Sequence, residues 1–198
     1  FPFGYSKGGN AWNAGSIENV SLDRSLEAFR ALRAFEAVGE KAAFYGVSRG
    51  AEHALLLTAL MAEEGLDGLP DAVAVHSPPD VVCGAFDSKA YRDAGDPGWQ
   101  PWDPGERAWS WRGSSENLLP TKQIEIERYD GPVFLSHGSA DRVWSVDMTK
   151  RLEARLLAHG RKPEVHIYEG QDHITTSAAE NLHHENLLTF LDRNLLAS

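Results

Sequence analysis

Four short apolar runs recur along the chain: KAAFYGV at 41–47, DAVAVH at 71–76, GPVFLS at 131–136 and PEVHIY at 163–168. Three of them are followed by a segment of helical period. A strand that is apolar on both sides has to be covered on both sides, and the crossover helices between parallel strands do the covering. The expected class is therefore α/β, a mostly parallel sheet with helices on both faces.

The helical segments have their own punctuation. Residues 21–38, SLDRSLEAFRALRAFEAV, start at Ser21 as candidate N-cap and carry Leu22, Leu26, Phe29 and Leu32 on one side, with Gly39 as the stop. Residues 49–64 run without a breaker to Gly65. Residues 146–159 present Met148, Leu152, Leu156 and Leu157 and end at Gly160. A last helix over 177–196 presents Leu182, Leu187, Phe190, Leu191 and Leu195. There is no internal repeat, and 1–198 reads as one domain.

One region breaks the alternation. Residues 81–122 include GDPGWQPWDPGERAWSWRGSS, rich in Pro, Gly and Trp and without period. Long irregular connections inside a compact domain are usually functional or disordered, and Trp99, Trp102, Trp109 and Trp111 favour order. Two roles stand open for it: an excursion packed over an apolar edge, or a lid and pocket wall beyond the strand ends, where ligands of such sheets bind.

Charge and composition narrow the partners. A net charge of -10 argues against nucleic acid, whose phosphates call for a basic surface. No apolar run reaches the roughly 20 residues that span a bilayer, so no membrane partner is expected. The single cysteine, Cys83, excludes an internal disulfide and a multi-cysteine zinc site, and reads as a small buried apolar residue. No metal and no cofactor are expected. The default compartment is the cytoplasm.

The run at 41–47 leads into Gly46-Val47-Ser48-Arg49-Gly50, a G-x-S-x-G with a strand before it and a helix after it. In that context the turn is tight, the serine is lifted clear of it, and the Arg49 N–H at the helix start points to where an oxyanion would form. The competing reading is an ordinary strand–helix turn with Ser48 as helix cap. A nucleophilic serine needs a base and an acid that orients it, on loops after later strands, in the order Ser, Asp, His. After VFLS comes HGSAD, which offers Asp141; after VHIY comes EGQDH, which offers His173. Asp147 lies inside a helix, and the Asp172 side chain should diverge from its neighbour's ring. His137 is expected to shape its loop, and His53, His183 and His184 to be structural or superficial. His76 ends a strand near the cleft and is a candidate supporting residue. Candidate pocket residues are Trp109, Trp111, Arg142 and Trp144, with Arg49 or Arg142 as partner for an anionic group.

With these residues in place the chain resembles the α/β-hydrolase superfamily. It is most similar to the C-terminal catalytic domain of acyl-CoA thioester hydrolases and bile acid-CoA:amino acid N-acyltransferases, and to dienelactone hydrolases. The likeness runs from SLDRSLEAFRALRAF through FYGVSRGAEHALLL and is strongest from IEIERYDGPVFLSHGSAD to VHIYEGQDH. It implies that Ser48 attacks an ester or thioester carbonyl of a small molecule, with Asp141 and His173 completing the triad. Arg49 stands where that family often has Lys. The alternatives are an acyltransferase of the same kind, a hydrolase-like domain that only binds, and a peptidase of the superfamily.

Two departures from the resemblance carry expectations. No N-terminal β-sandwich is visible, and fewer than 50 residues precede Ser48. The fold should then lack its first strands, including the neighbour of the nucleophile strand and the loop that gives the second oxyanion donor. Three outcomes are open: upstream sequence completes the sheet, which is the favoured one, a partner chain supplies the strands, or the remaining strands pair in an unusual order. FPFGY at 1–5 reads as the end of one earlier strand, and SKGGN at 6–10 as a weak candidate for an anion-binding turn.

Overall fold

The computed structural model describes residues 19–35, 39–84 and 107–196. The expectations for FPFGY, SKGGN, Trp99, Trp102 and the end of the first helix near Val38 fall outside the described residues.

The elements are β1 (Val20–Ser21), α1 (Leu22–Arg33), β2 (Ala43–Val47), α2 (Arg49–Glu63), β3 (Ala72–His76), β4 (Trp109–Ser110), β5 (Val133–Gly138), α3 (Val146–Ala158), β6 (Glu164–Tyr168) and α4 (Ser177–Leu191). The four apolar runs form one sheet in the order β2-β3-β5-β6. Every pairing in it is parallel, with Val47 opposite His76, His76 opposite Ser136 and Gly138 opposite Tyr168. The carboxyl ends therefore lie along one edge of the sheet.

Side chains of a strand alternate between its faces. Val73, Val75, Val133 and Leu135 meet α1, α2 and α3 through Leu26, Leu55, Met61 and Leu152, while Ala72, Ala74 and Phe134 meet Leu187 and Phe190 of α4. Helices thus cover both faces, and the fold class read from the sequence is the one observed. β3 is buried along its whole length.

Local chemistry sets the helix ends. Ser21 caps α1 by accepting from the Arg24 N–H at 3.4 Å, and Ser145 caps α3 by accepting from Asp147. α1 is described to Arg33, and α4 passes into a π-helical turn over Asp192–Leu196. Three expected core leucines face outward: Leu157, Leu182 and Leu32 are 55%, 48% and 40% exposed. Each lies at the margin of its apolar stripe, where period alone does not separate core from flank. The short parallel pair β1–β4, with Val20 opposite Trp109, has no signature in the sequence at two residues per strand.

Among the described residues, β2 has β3 as its only strand neighbour. Its far side borders a groove of about 520 Å³ between α1, β2 and α2, lined by Phe29, Leu32, Phe44, Val47 and His53. Tyr45 and Val47 are 45% and 43% exposed there. This is the edge at which the sequence leads one to expect a further strand.

Burial pulls the His53 imidazole down to about 4. The unfolded chain, near its ordinary value of about 6.5, takes up that proton first. The contribution of neutral His53 to stability is complete above about pH 6.5 and shrinks as the pH falls toward 4. The melting temperature should accordingly drop between pH 7 and pH 5, on the scale over which an ordinary histidine titrates. In H53L the slope of Tm against pH should be shallower, whatever the absolute Tm; an equal slope in a calorimetric series contradicts this account.

Candidate active site

Ser48 sits between β2 and α2 with φ 55° and ψ -122°, a conformation that costs a non-glycine residue about 1–3 kcal/mol. The turn is locked by backbone bonds: Ser48 N donates to His76 O at 2.9 Å, and Ser48 O accepts from Ala51 N and Glu52 N at 2.9 and 3.1 Å. The Ser48 side chain does not cap the helix, so the competing reading of this serine as an N-cap fails. Of the two flanking glycines, only Gly46 is sterically required. A Cβ there would lie 2.1 Å from the Gly50 carbonyl oxygen, whereas a Cβ on Gly50 meets nothing within 4 Å.

The loops after β5 and β6 are joined before either reaches the serine. Ser139 N donates to Tyr168 O at 3.0 Å and Ala140 N to Gln171 O at 2.9 Å. Gly170 N donates to Ser139 Oγ at 2.8 Å. The approach at Gly138 is close enough that a Cβ would lie 2.3 Å from the Gln171 carbonyl oxygen. Asp172 strengthens the junction: it accepts from Arg142 N at 3.0 Å, Arg142 Nε at 2.6 Å and His173 N at 2.8 Å. Its side chain diverges from the His173 ring, as expected.

On this platform the structure brings Ser48, His173 and Asp141 into one line of hydrogen bonds. His173 Nε2 lies 2.9 Å from Ser48 Oγ, and His173 Nδ1 lies 2.7 Å from Asp141 Oδ2. The Asp141 side chain is fully buried. Its Oδ1 accepts from the backbone N–H groups of Val143 and Trp144 at 2.8 and 2.9 Å. Burial by itself would push this carboxyl up, but the hydrogen bonds from His137, His173 and the Trp144 backbone hold it far below the ordinary carboxylate range. An ionised Asp141 keeps the hydrogen of His173 on Nδ1. Nε2 is then the acceptor for the Ser48 hydroxyl.

The Arg49 side chain is not turned toward the cleft for an anionic group. Its guanidinium donates to Glu52 at 2.6 Å, to Gly84 O at 2.6 Å and to Cys83 O at 3.3 Å. Glu52, fully buried, also accepts from Cys83 N and Trp109 Nε1, each at 2.7 Å. One carboxylate in the first turn of α2 thus fastens the residues on either side of the Trp-rich stretch to the helix that carries the serine. Arg142 is exposed and paired with Asp172.

The tryptophans divide. Trp109 is 1% exposed, tied to Glu52 and packed on His53, so it is core and not pocket wall. Trp111 donates to Glu64 at 2.6 Å, just past the far end of α2, about 24 Å from the serine by helix rise. Both were expected to line the pocket. They are drawn instead to carboxylates at the two ends of α2, the buried Glu52 and the exposed Glu64, since an indole N–H seeks a partner when buried. Trp144 stands edge-on to His173, with ring centres 6.0 Å apart.

Three further histidines have side-chain partners, His76, His183 and His137. His76 is hydrogen-bonded with Ser136, and His183, with 4% exposure, with Tyr45. Asp147 is exposed and paired with Lys150. His137 does more than shape a loop, because its Nε2 lies 3.1 Å from Asp141 Oδ2. The signal in the sequence was a histidine directly after the run GPVFLS, four residues before the aspartate. Among the described residues no group of three His, Cys, Asp or Glu side chains is placed to hold a metal ion, and no helix is long and apolar enough to cross a membrane.

No protein-family model matches the chain, and no curated protein matches it. Solved structures do. SOBER1 of Arabidopsis thaliana is 16% identical and superposes with a TM-score of 0.54 over 88% of this chain and 62% of its own. MGS-M1, an α/β hydrolase enzyme from a Medee basin deep-sea metagenome library, is 16% identical, with a TM-score of 0.57 over 89% of this chain and 65% of its own. Est1E from Butyrivibrio proteoclasticus is 17% identical, with a TM-score of 0.58 over 89% and 70%. The fold is that of the α/β-hydrolases in partial form. The chain spans a little under two thirds of the length of SOBER1 and of MGS-M1.

Removing Glu52 leaves the Arg49 charge and the Trp109 N–H without their shared acceptor. E52A should lower the unfolding free energy by about 3 kcal/mol in urea titrations, and E52Q by less, because it keeps an acceptor. At the turn, G46A should destabilise by about 1–3 kcal/mol, while G50A should cost nothing and gain up to about 1 kcal/mol from helix propensity. Equal effects of the two glycine substitutions would contradict the steric assignment.

Proposed function

We propose that the protein is a serine hydrolase that cleaves a carboxylic ester or thioester of a small molecule through an acyl-enzyme. The observation that carries this reading is the continuous line Ser48 Oγ, His173 Nε2, His173 Nδ1, Asp141 Oδ2, built on a serine in a strained turn. A domain that only binds has no need to bury an ionised carboxylate behind a histidine. The hydrolase fold of the solved neighbours supports the same reading.

The chemistry follows from the geometry. His173 Nε2 takes the Ser48 proton as Oγ adds to the carbonyl carbon. The oxygen of that carbonyl becomes the oxyanion, next to the Arg49 N–H at the start of α2. Asp141, already ionised, stabilises the imidazolium and prevents the ring from turning. His173 then protonates the leaving alcohol or thiol, and the acyl group stays on Ser48. Water, deprotonated by His173, adds to the acyl-enzyme; collapse returns the proton to Ser48 and frees the acid. An acceptor other than water would make the same intermediate an acyltransferase. A second oxyanion donor belongs to this scheme, since the loss of one such donor costs about 10²–10³ in rate.

The test is labelling by a fluorophosphonate probe, read by peptide mass spectrometry, followed by a panel of esters, thioesters and aminoacyl amides. Labelling should fall on Ser48, vanish in S48A and H173A, and drop in D141N by about 10⁴ in rate. Labelling of Ser48 that persists in H173A, or a folded wild-type chain that never labels, would sink the proposal. Preference for aminoacyl amides over both ester classes would replace the substrate assignment with a peptidase.

A further inference from the structure

Asp141 Oδ2 faces two imidazole N–H groups, and only one belongs to His173. The other is on His137, the last residue but one of β5, whose side chain is fully buried. His137 Nε2 lies 3.0 Å from Trp144 O and 3.1 Å from Asp141 Oδ2. A carbonyl and an ionised carboxylate can only accept, so Nε2 carries the hydrogen and shares it between them. His137 Nδ1 lies 2.7 Å from Oγ1 of Thr149, a residue of α3 with no exposed surface. In the neutral ring Nδ1 accepts and the Thr149 hydroxyl donates.

We propose that His137, fixed in its Nε2–H tautomer by Trp144 O and Asp141 and anchored at Nδ1 by Thr149, is a positioning residue that occupies part of the accepting capacity of Asp141 Oδ2 and so sets how strongly Asp141 grips His173. This rests on the serine-hydrolase reading and deepens it. A hydrogen bond to a carboxylate oxygen draws charge from it and weakens the next one. Without the His137 N–H, Asp141 would hold His173 more tightly and favour its protonated form, and the base that Ser48 requires would be lost at a higher pH.

Among the described residues no other side chain near the pair is placed to take over this role. Asp172 is spent on Arg142 and on the His173 backbone N–H. His76, at the end of β3, is pulled down to about 3, chiefly by burial, and stays neutral. Ser48, from the start of α2, bonds the far nitrogen of the ring. Trp144 presents a ring edge to His173 and carries no charge.

The experiment compares wild type, H137F, H137Q and T149V in two readouts. One is the pH dependence of fluorophosphonate labelling at Ser48. The other is the low-field NMR signal of the His173 Nδ1 proton, assigned by its loss in H173A. In H137F the acid limb of the labelling profile should move up by about one pH unit, and the Nδ1 proton should move downfield. T149V, which keeps the shape of the side chain but removes the hydroxyl that anchors the His137 ring at Nδ1, should shift both in the same direction by less. H137Q, which retains an N–H donor, should fall between H137F and wild type. Folded variants that lose labelling amplitude while the acid limb and the proton signal stay in place overturn the proposal, since that is what a merely structural residue would do. If H137F does not fold, T149V decides by the same criterion. A wild-type chain that never labels overturns the hydrolase reading, and the His173 proton signal still decides the positioning role.

Discussion

The all-parallel register of β2, β3, β5 and β6 is the constraint on which the rest depends. Parallel pairing sends every crossover back over a face of the sheet and leaves every carboxyl end on the same edge. Ser48, Asp141 and His173 are far apart in sequence, yet each follows such an end within a few residues. The sheet therefore places them within reach before any side chain contact is made. What remains for local structure is the last few ångströms.

Those ångströms are supplied by two close approaches of backbone. At Gly46 the strand passes against the first turn of α2, which forces Ser48 into its unusual turn. At Gly138 the β5 loop passes against the β6 loop, which sets Asp141 beside His173. Neither contact leaves room for a Cβ. The strain at Ser48 is offset by the backbone bonds around it and by the burial of α2, whose side chains from Ala51 to Met61 are all buried. A nucleophile on a loose loop would have neither the strain nor the means to hold it.

Much of this was legible in the residues. The strands are apolar on both faces, so their runs stand out without alternation, and Gly65 and Gly160 mark stops through left-handed backbone at φ 62° and 74°. The order Ser48, Asp141, His173 was legible because each follows a recognisable run. The roles of Trp109, Trp111, Arg49 and His137 were not. Their partners, Glu52, Glu64, the carbonyls of Cys83 and Gly84, and Thr149, lie 3 to 57 positions away, and all but the Arg49–Glu52 pair join different elements. Period and motif report what a segment presents. They do not report what a buried polar group finds once the segment is packed.

Glu52 shows how the two kinds of information meet. The sequence marks it only as the acidic residue one turn after Ser48, an ordinary helix N-terminal carboxylate. In the fold it is fully buried and gathers Arg49, Cys83 N and Trp109 Nε1. Burial pushes its carboxyl up, while Arg49 and the two N–H donors oppose that shift. With Glu52 as its partner the Arg49 side chain points away from the cleft, and in the proposed mechanism only its backbone N–H, next to Ser48, faces the reacting carbonyl. The side chain beside Ser48 thus works for the scaffold, and only the peptide group is left for the proposed reaction. A basic residue at that position is consequently no evidence for an anionic substrate.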